Sequence, residues 1–344
     1  MTKSTHTSFQ IDDPSLESQW RAIILFGKNS ATYKFAFAKT LLDIVEKEKT
    51  TVTIDELALP YAKYLIEHLK KNDRQGNSNS STFLDGCRKF LSNEISEDDL
   101  FQVTRRYGFV NVIDAFQKVN RAEIPNSFYE KDFSRQSKRL VITDNLLKLK
   151  EKFQFQNLEQ EVEARWKLVE TAWNLNINPN LLEVNYDDKK ELFFIDNKIM
   201  RRKDVTSVRE ALNGYQKGRC FYSKKEININ SNQDDTCAVD HFIPHFLKPI
   251  LAKKGVNING VWNLVLADMT VNSSKSNRLA HVRYLERLFT RNEYYIESNL
   301  PLAETIINQT GNTKAKRRMF LKEQYQTAVN ELIDHSWQPD IELL

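Results

Sequence analysis

A chain of 344 residues with 40% hydrophobic and 11% aromatic side chains is long enough for two or three compact domains with real cores. Its 9 glycines and 8 prolines are too few for a turn-rich β-sandwich, and no apolar run approaches the ~18 residues of a membrane span, so a mainly α-helical protein without membrane insertion is expected. A net charge of +4 leans only mildly toward polyanions, while three cysteines outside any framework spacing and a polar N-terminus with no apolar leader point to a reducing cytoplasm.

In chain order, the apolar residues from Trp20 to Val45 recur at helical spacing with a break near Gly27-Lys28-Asn29, which predicts two helices, the second strongly buried. A helix over 60–71 follows. The Asn- and Ser-rich stretch 72–81 reads as a loop in which Gly76 should be exposed. Short helices over 84–91, 97–107 and 110–119 complete an α-helical N-terminal domain, 1–122. No GxxxxGK[ST] spacing occurs, which excludes a P-loop.

Residues 123–204 read as a helical connecting region: a polar connection over 124–140, then helices over 146–152 and 158–175. In the second of these, Leu158, Val162, Trp166, Val169 and Trp173 form a stripe most simply explained as core. Leu192-Phe193-Phe194-Ile195 is a short strand candidate between Tyr186-Asp187-Asp188 and Asp196-Asn197. A helix over 205–216 leads into Cys220, and helices over 279–291 and 314–333 close the chain.

The stretch 220–277 concentrates polar residues around two apolar runs. It contains Cys220-Phe221-Tyr222-Ser223, then Val239-Asp240-His241-Phe242-Ile243-Pro244, then Trp262-Asn263-Leu264-Val265-Leu266, then Asn272-Ser273-Ser274-Lys275. Strands are expected over 236–242 and 262–267, and a helix over 273–288 with Asn272 as its N-cap. A lone Asp-His pair is most often a structural pair. Three such elements in this order carry more weight.

Their order resembles the signature of the HNH endonucleases, in which a two-stranded hairpin and a following helix form a ββα-metal finger. The resemblance implies a C-terminal HNH nuclease domain over 205–344 that hydrolyses phosphodiester bonds in DNA with one Mg²⁺ or Mn²⁺. It implies His241 as the base, since an imidazole is neutral near working pH, and Asp240 and Asn272 as oxygen ligands of the ion. Asn263 would orient the imidazole or brace the hairpin, and Lys275 and Arg278 would meet phosphates or else lie on a solvated helix face. His245, beyond Pro244, is not expected to share a helix face with His241. One site per chain implies nicking by a monomer.

Clusters at Arg201-Arg202-Lys203, Lys217, Arg219, Lys224-Lys225, Lys253-Lys254 and 314–318 would supply a basic rim for DNA, with solvated surface lysines as the equal alternative. The pattern departs from many HNH proteins in lacking two C-x-x-C pairs. Ser223, Asp268 and Val271 stand where three of the thiolates would be, so no structural zinc is expected and packing must hold the finger.

The stretches Trp20 to Ala36 and Tyr284 to Glu293 look like parts of long HNH proteins of bacterial anti-phage gene clusters, such as those of the Zorya type. That likeness implies a role in phage defence with partner proteins. The alternative is a nucleic-acid-binding or scaffold subunit whose finger is inactive or is switched on by a partner.

Overall fold

The computed structural model describes residues 7–78, 80–134, 137–175, 183–195, 203–230, 236–298, 301–333 and 336–343. The protein is mainly helical with small antiparallel sheets. It divides into two compact units, Met1–Asn176 and Ile177–Leu344. The stretch expected as a connecting region is thus shared between them.

In the first unit, Leu16–Phe26 and Tyr33–Glu46 are the two helices expected on either side of Gly27, and the second buries eleven of its side chains. The next helix starts earlier than expected. It runs Ile54–Leu69 with Pro60 inside it, because Thr53 and Glu56 form a capping box that fixes its first turn upstream of the proline. Gly76 is buried, since it pairs with Ala31 in a single β-bridge instead of lying in an open loop.

The polar stretch 124–140 is not merely a connection. Tyr129–Phe133 and Lys138–Ile142 form a hairpin, and Thr51–Thr53 adds a third strand, with Val52 opposite Leu140. Among the core aromatics, Phe37 meets Tyr61, Phe109, Phe116 and Tyr129 edge-on.

The helix Phe155–Asn174 buries the expected stripe from Leu158 to Trp173 and also two carboxylates, Glu161 and Glu170, with Glu163 half-buried beside them. Glu161 pairs with Arg21 at 2.7 Å and Glu163 with Lys39 at 3.0 Å. Glu170 accepts from Asn72 at 2.9 Å and Gln75 at 2.6 Å, and lies 2.9 Å from His68 Nδ1.

The second unit opens on a three-stranded antiparallel sheet, Val184–Asp187, Leu192–Ile195 and Lys203–Ser207 in that order. The helix expected over 205–216 is therefore shorter, Val208–Asn213 with a 3-10 turn after it. Ala238–His241 then pairs antiparallel with Leu264–Ala267, and the helix Met269–Lys275 follows directly.

That helix differs from expectation at both ends. Asp268, not Asn272, caps it by accepting from Thr270 N at 3.0 Å, and Ser276, with a positive φ of 49°, ends it. A separate helix, Arg283–Glu297, comes next, followed by Leu302–Thr310 and Lys314–Glu331. Arg201 and Arg202 of the expected basic rim, and Asp196-Asn197, lie outside the described residues. Among the described residues, no helix is long and apolar enough to cross a membrane.

Candidate active site

Side chains alternate across a strand, so the neighbours Asp240 and His241 leave it on opposite faces. Burial follows this alternation along Ala238–His241, with Ala238 and Asp240 inside and Val239 and His241 half-buried. The two residues expected to work together therefore meet different partners.

Asp240 turns toward the helix Met269–Lys275. Its carboxylate accepts from Tyr222 Oη at 2.6 Å and lies 3.1 Å from Lys275 Nζ. Lys275, fully buried, also donates to the His241 carbonyl at 2.9 Å. The expected phosphate contact of Lys275 is thus corrected: its charge neutralises a buried carboxylate. Asp240 in turn is poorly suited to hold a divalent ion, because a fixed ammonium already occupies its coordination space. Asn272 is half-buried one turn before Lys275 on the same helix.

Asn263 is fully buried in the 3-10 turn that opens the second strand. Its Oδ1 accepts from Ile243 N at 2.8 Å, and its Nδ2 donates to the carbonyls of Ile243 and Ile258 at 3.0 Å. Of the two tasks expected for it, bracing the hairpin is the one its side chain performs. Orienting the imidazole falls to Asn259, whose Oδ1 lies 3.0 Å from His241 Nε2 while its Nδ2 donates to Asp188 Oδ2 at 2.9 Å.

Around His241 a polar centre gathers residues far apart in the chain. Asp188 lies on the turn between Val184–Asp187 and Leu192–Ile195, a turn fixed by Asp187 Oδ1 accepting from the backbone of Lys189 and Lys190. Its carboxylate is 3.3 Å from His245 Nε2 and 3.8 Å from His241 Nε2. The turn through Pro244 brings the His245 ring to 4.9 Å from that of His241.

The His241 side chain is 13% exposed, whereas Asp188 and His245 face solvent at 36% and 44%. Burial is the largest influence on His241 and holds its pKa below the ordinary imidazole value, although Asn259 and the carboxylates of Asp240 and Asp188 pull the other way. The ring therefore offers a neutral nitrogen lone pair near pH 7.

Among the described residues, Asp188, His241 and His245 are the one group of three acidic, histidine or cysteine side chains whose donor atoms lie within 4.8 Å of one another. Asp188 and Asn259 were not legible as site residues. Asp187-Asp188-Lys189-Lys190 reads as an ordinary solvated turn, and nothing in its spacing marks a partner 53 positions away.

The packing around the hairpin is specific. Phe221 N donates to the Leu266 carbonyl at 2.9 Å, the Gln216 amide pairs with both backbone groups of Leu266, and Lys225 pairs with Asp268 at 3.0 Å. Arg287 and the buried Arg291 donate to carbonyls of Phe221, Tyr222, Trp262 and Leu264. Arg219 donates to the Lys224 carbonyl on the same turn, and Arg278 donates back to the Ser274 carbonyl. Of the expected basic rim, Arg317 is buried against Glu293 and Arg318 is paired with Glu286.

No protein-family model matches the chain, and no curated protein matches it significantly.

Proposed function

We propose that the protein is a metal-dependent endonuclease of the HNH (ββα-metal) type that hydrolyses phosphodiester bonds in DNA, nicking one strand per event, in bacterial defence against phage. The observation that carries the reading is the antiparallel pairing of Ala238–His241 with Leu264–Ala267, followed at once by the helix Met269–Lys275, with His241 at the end of its strand. The reaction centre is the face of His241, His245, Asp188 and Asn259.

A neutral His241 supplies the lone pair that hydrolysis requires. Asn259 fixes the plane of its ring, and Asp188 sets the charge beside it. Asn263 and Lys275 keep the hairpin end rigid, so that these groups need not reorganise during the reaction. A divalent ion such as Mg²⁺ or Mn²⁺ would neutralise charge on the phosphoryl oxygens. Exposed Arg219, half-buried Lys224 and exposed Arg278 are the cations assigned to the DNA backbone. Partner proteins of a defence system belong to this reading by resemblance alone.

The burial of Asp240 against Lys275 favours a second reading, in which the chain is a nucleic-acid-binding or scaffold subunit with an inactive or partner-activated finger. Supercoiled plasmid incubated with the purified chain in Mg²⁺, in Mn²⁺ and in EDTA, beside His241→Ala, separates the two. Metal-dependent nicked product lost in the variant is the expected outcome. Binding without cutting in every condition would select the scaffold.

A further inference from the structure

We propose that Asp188, His241, His245 and Asn259 form a single mixed nitrogen and oxygen site for a divalent transition-metal ion, of the Co²⁺ or Zn²⁺ class, which the site prefers over Mg²⁺. The inference rests on the same centre as the nuclease reading but gives His241 a different role there; it stands on the side-chain geometry and does not need the chain to cut DNA.

Bonds of about 2.0–2.2 Å to a common ion place neighbouring donor atoms about 3.0–3.6 Å apart, the lower figure for octahedral and the upper for tetrahedral geometry. The separations here are 3.0 Å from His241 Nε2 to Asn259 Oδ1, 3.3 Å from His245 Nε2 to Asp188 Oδ2, and 3.8 Å from His241 Nε2 to Asp188 Oδ1. The first two lie within that range and the third just beyond it, with His245 and His241 meeting different oxygens of the one Asp188 carboxylate. Hydrogen bonds link His241 to Asn259 and Asn259 to Asp188 in pairs, whereas one cation would draw the donor atoms of all four residues together.

Donor chemistry decides the metal. Two imidazoles with one carboxylate and one amide oxygen suit borderline transition metals, whereas Mg²⁺ demands oxygen donors and dehydrates reluctantly. The alternative location, on Asp240, is closed by the buried ammonium of Lys275 at 3.1 Å. Access favours the new site as well, because Asp188 and His245 face solvent. Ligation at Nε2 would make His241 a ligand in place of the base that the nuclease reading makes of it, and the ion would supply Lewis acidity at this centre.

The test uses the full chain, stripped with EDTA and dialysed, and titrated with Co²⁺ alone and with Mg²⁺ alone while heat and visible absorption are followed. One equivalent of Co²⁺ with new ligand-field bands is expected, at least about tenfold tighter than Mg²⁺. Asp188→Asn and His245→Gln should each weaken Co²⁺ at least about tenfold, and the rise in melting temperature that Co²⁺ gives the parent chain should shrink in both. Asp188 lies on an exposed turn, so Asp188→Asn is expected to fold, and its far-ultraviolet circular dichroism checks this.

Absence of stoichiometric Co²⁺ binding, equal affinity for Mg²⁺, or unchanged binding in both variants would overturn the site. Co²⁺ bound as expected by a chain that never cuts DNA would uphold the site while removing the nuclease reading.

Discussion

At the scale of single residues, the Asp-His pair was legible as a candidate site, but its division of labour was not. Sequence spacing identifies residue types. It does not say that strand alternation sends Asp240 toward a buried lysine and His241 toward a turn 53 residues upstream. Lys275 illustrates the difference. As a buried partner its removal strands a carboxylate, so Lys275→Met should destabilise the chain by about 3–5 kcal/mol in urea unfolding. Restoring neutrality with Asp240→Asn in the same chain should recover part of that loss. A lysine used only for phosphate would show no stability change. Asn263→Ala, which orphans three buried backbone groups, should cost about 2–4 kcal/mol by the same measurement.

At the scale of elements, most helices of the first unit were legible from apolar periodicity, and the misses have identifiable physical causes. Pro60 reads as a helix start, yet the capping box at Thr53 and Glu56 governs where the helix begins. The hairpin Tyr129–Phe133 with Lys138–Ile142 was hidden because its strands carry charge on their open face, with Asp132 paired to Arg139, and because its third strand comes from Thr51–Thr53.

In the second unit, Asp268 directly after the last strand residue was the readable cap signal, and choosing Asn272 placed the helix four residues late. Asp268 also ties the helix to Lys225 in the turn that follows Cys220. Asp268→Ala should therefore cost about 1–2 kcal/mol, chiefly through the lost cap. Near-ultraviolet circular dichroism should report looser packing of Phe221 and Tyr222. No change in either measurement would mean that Asp268 does not hold the finger to the turn at Lys225.

At the scale of the whole molecule, each unit carries a different kind of polar organisation. The first unit buries its own: His68 stacks on Trp166 with ring centroids 3.5 Å apart and lies between Glu163 and Glu170. Burial opposes a charge on His68, but the two carboxylates outweigh it and raise its pKa above the ordinary value. A raised folded-state pKa gives stability that is full below the unfolded value of about 6.5 and is lost as pH climbs through the folded value.

Glu163 runs the other way. Despite burial, the bonds and charges of His68 and Lys39 hold it far below the ordinary carboxylate range, so its contribution disappears on acidification below about pH 4.5. Unfolding free energy followed against pH should thus fall on both sides of a mildly acidic optimum. His68→Gln should flatten the alkaline arm, and an arm of equal slope in that variant would contradict the assignment.

The second unit also buries polar groups, Asp240 with Lys275 among them, but adds a solvent-facing centre around His241, and the claim that this centre hydrolyses DNA is the one to test first. The direct measurement is the initial rate of plasmid nicking by the full chain, by His241→Ala and by Asp188→Asn, each first shown to be folded, with Mn²⁺ or Co²⁺ present. Nicking by the parent chain, reduced at least about a hundredfold in both variants, is the predicted result. Nicking by Asp188→Asn at the parental rate, or none by the parent chain with any of these ions, would contradict it.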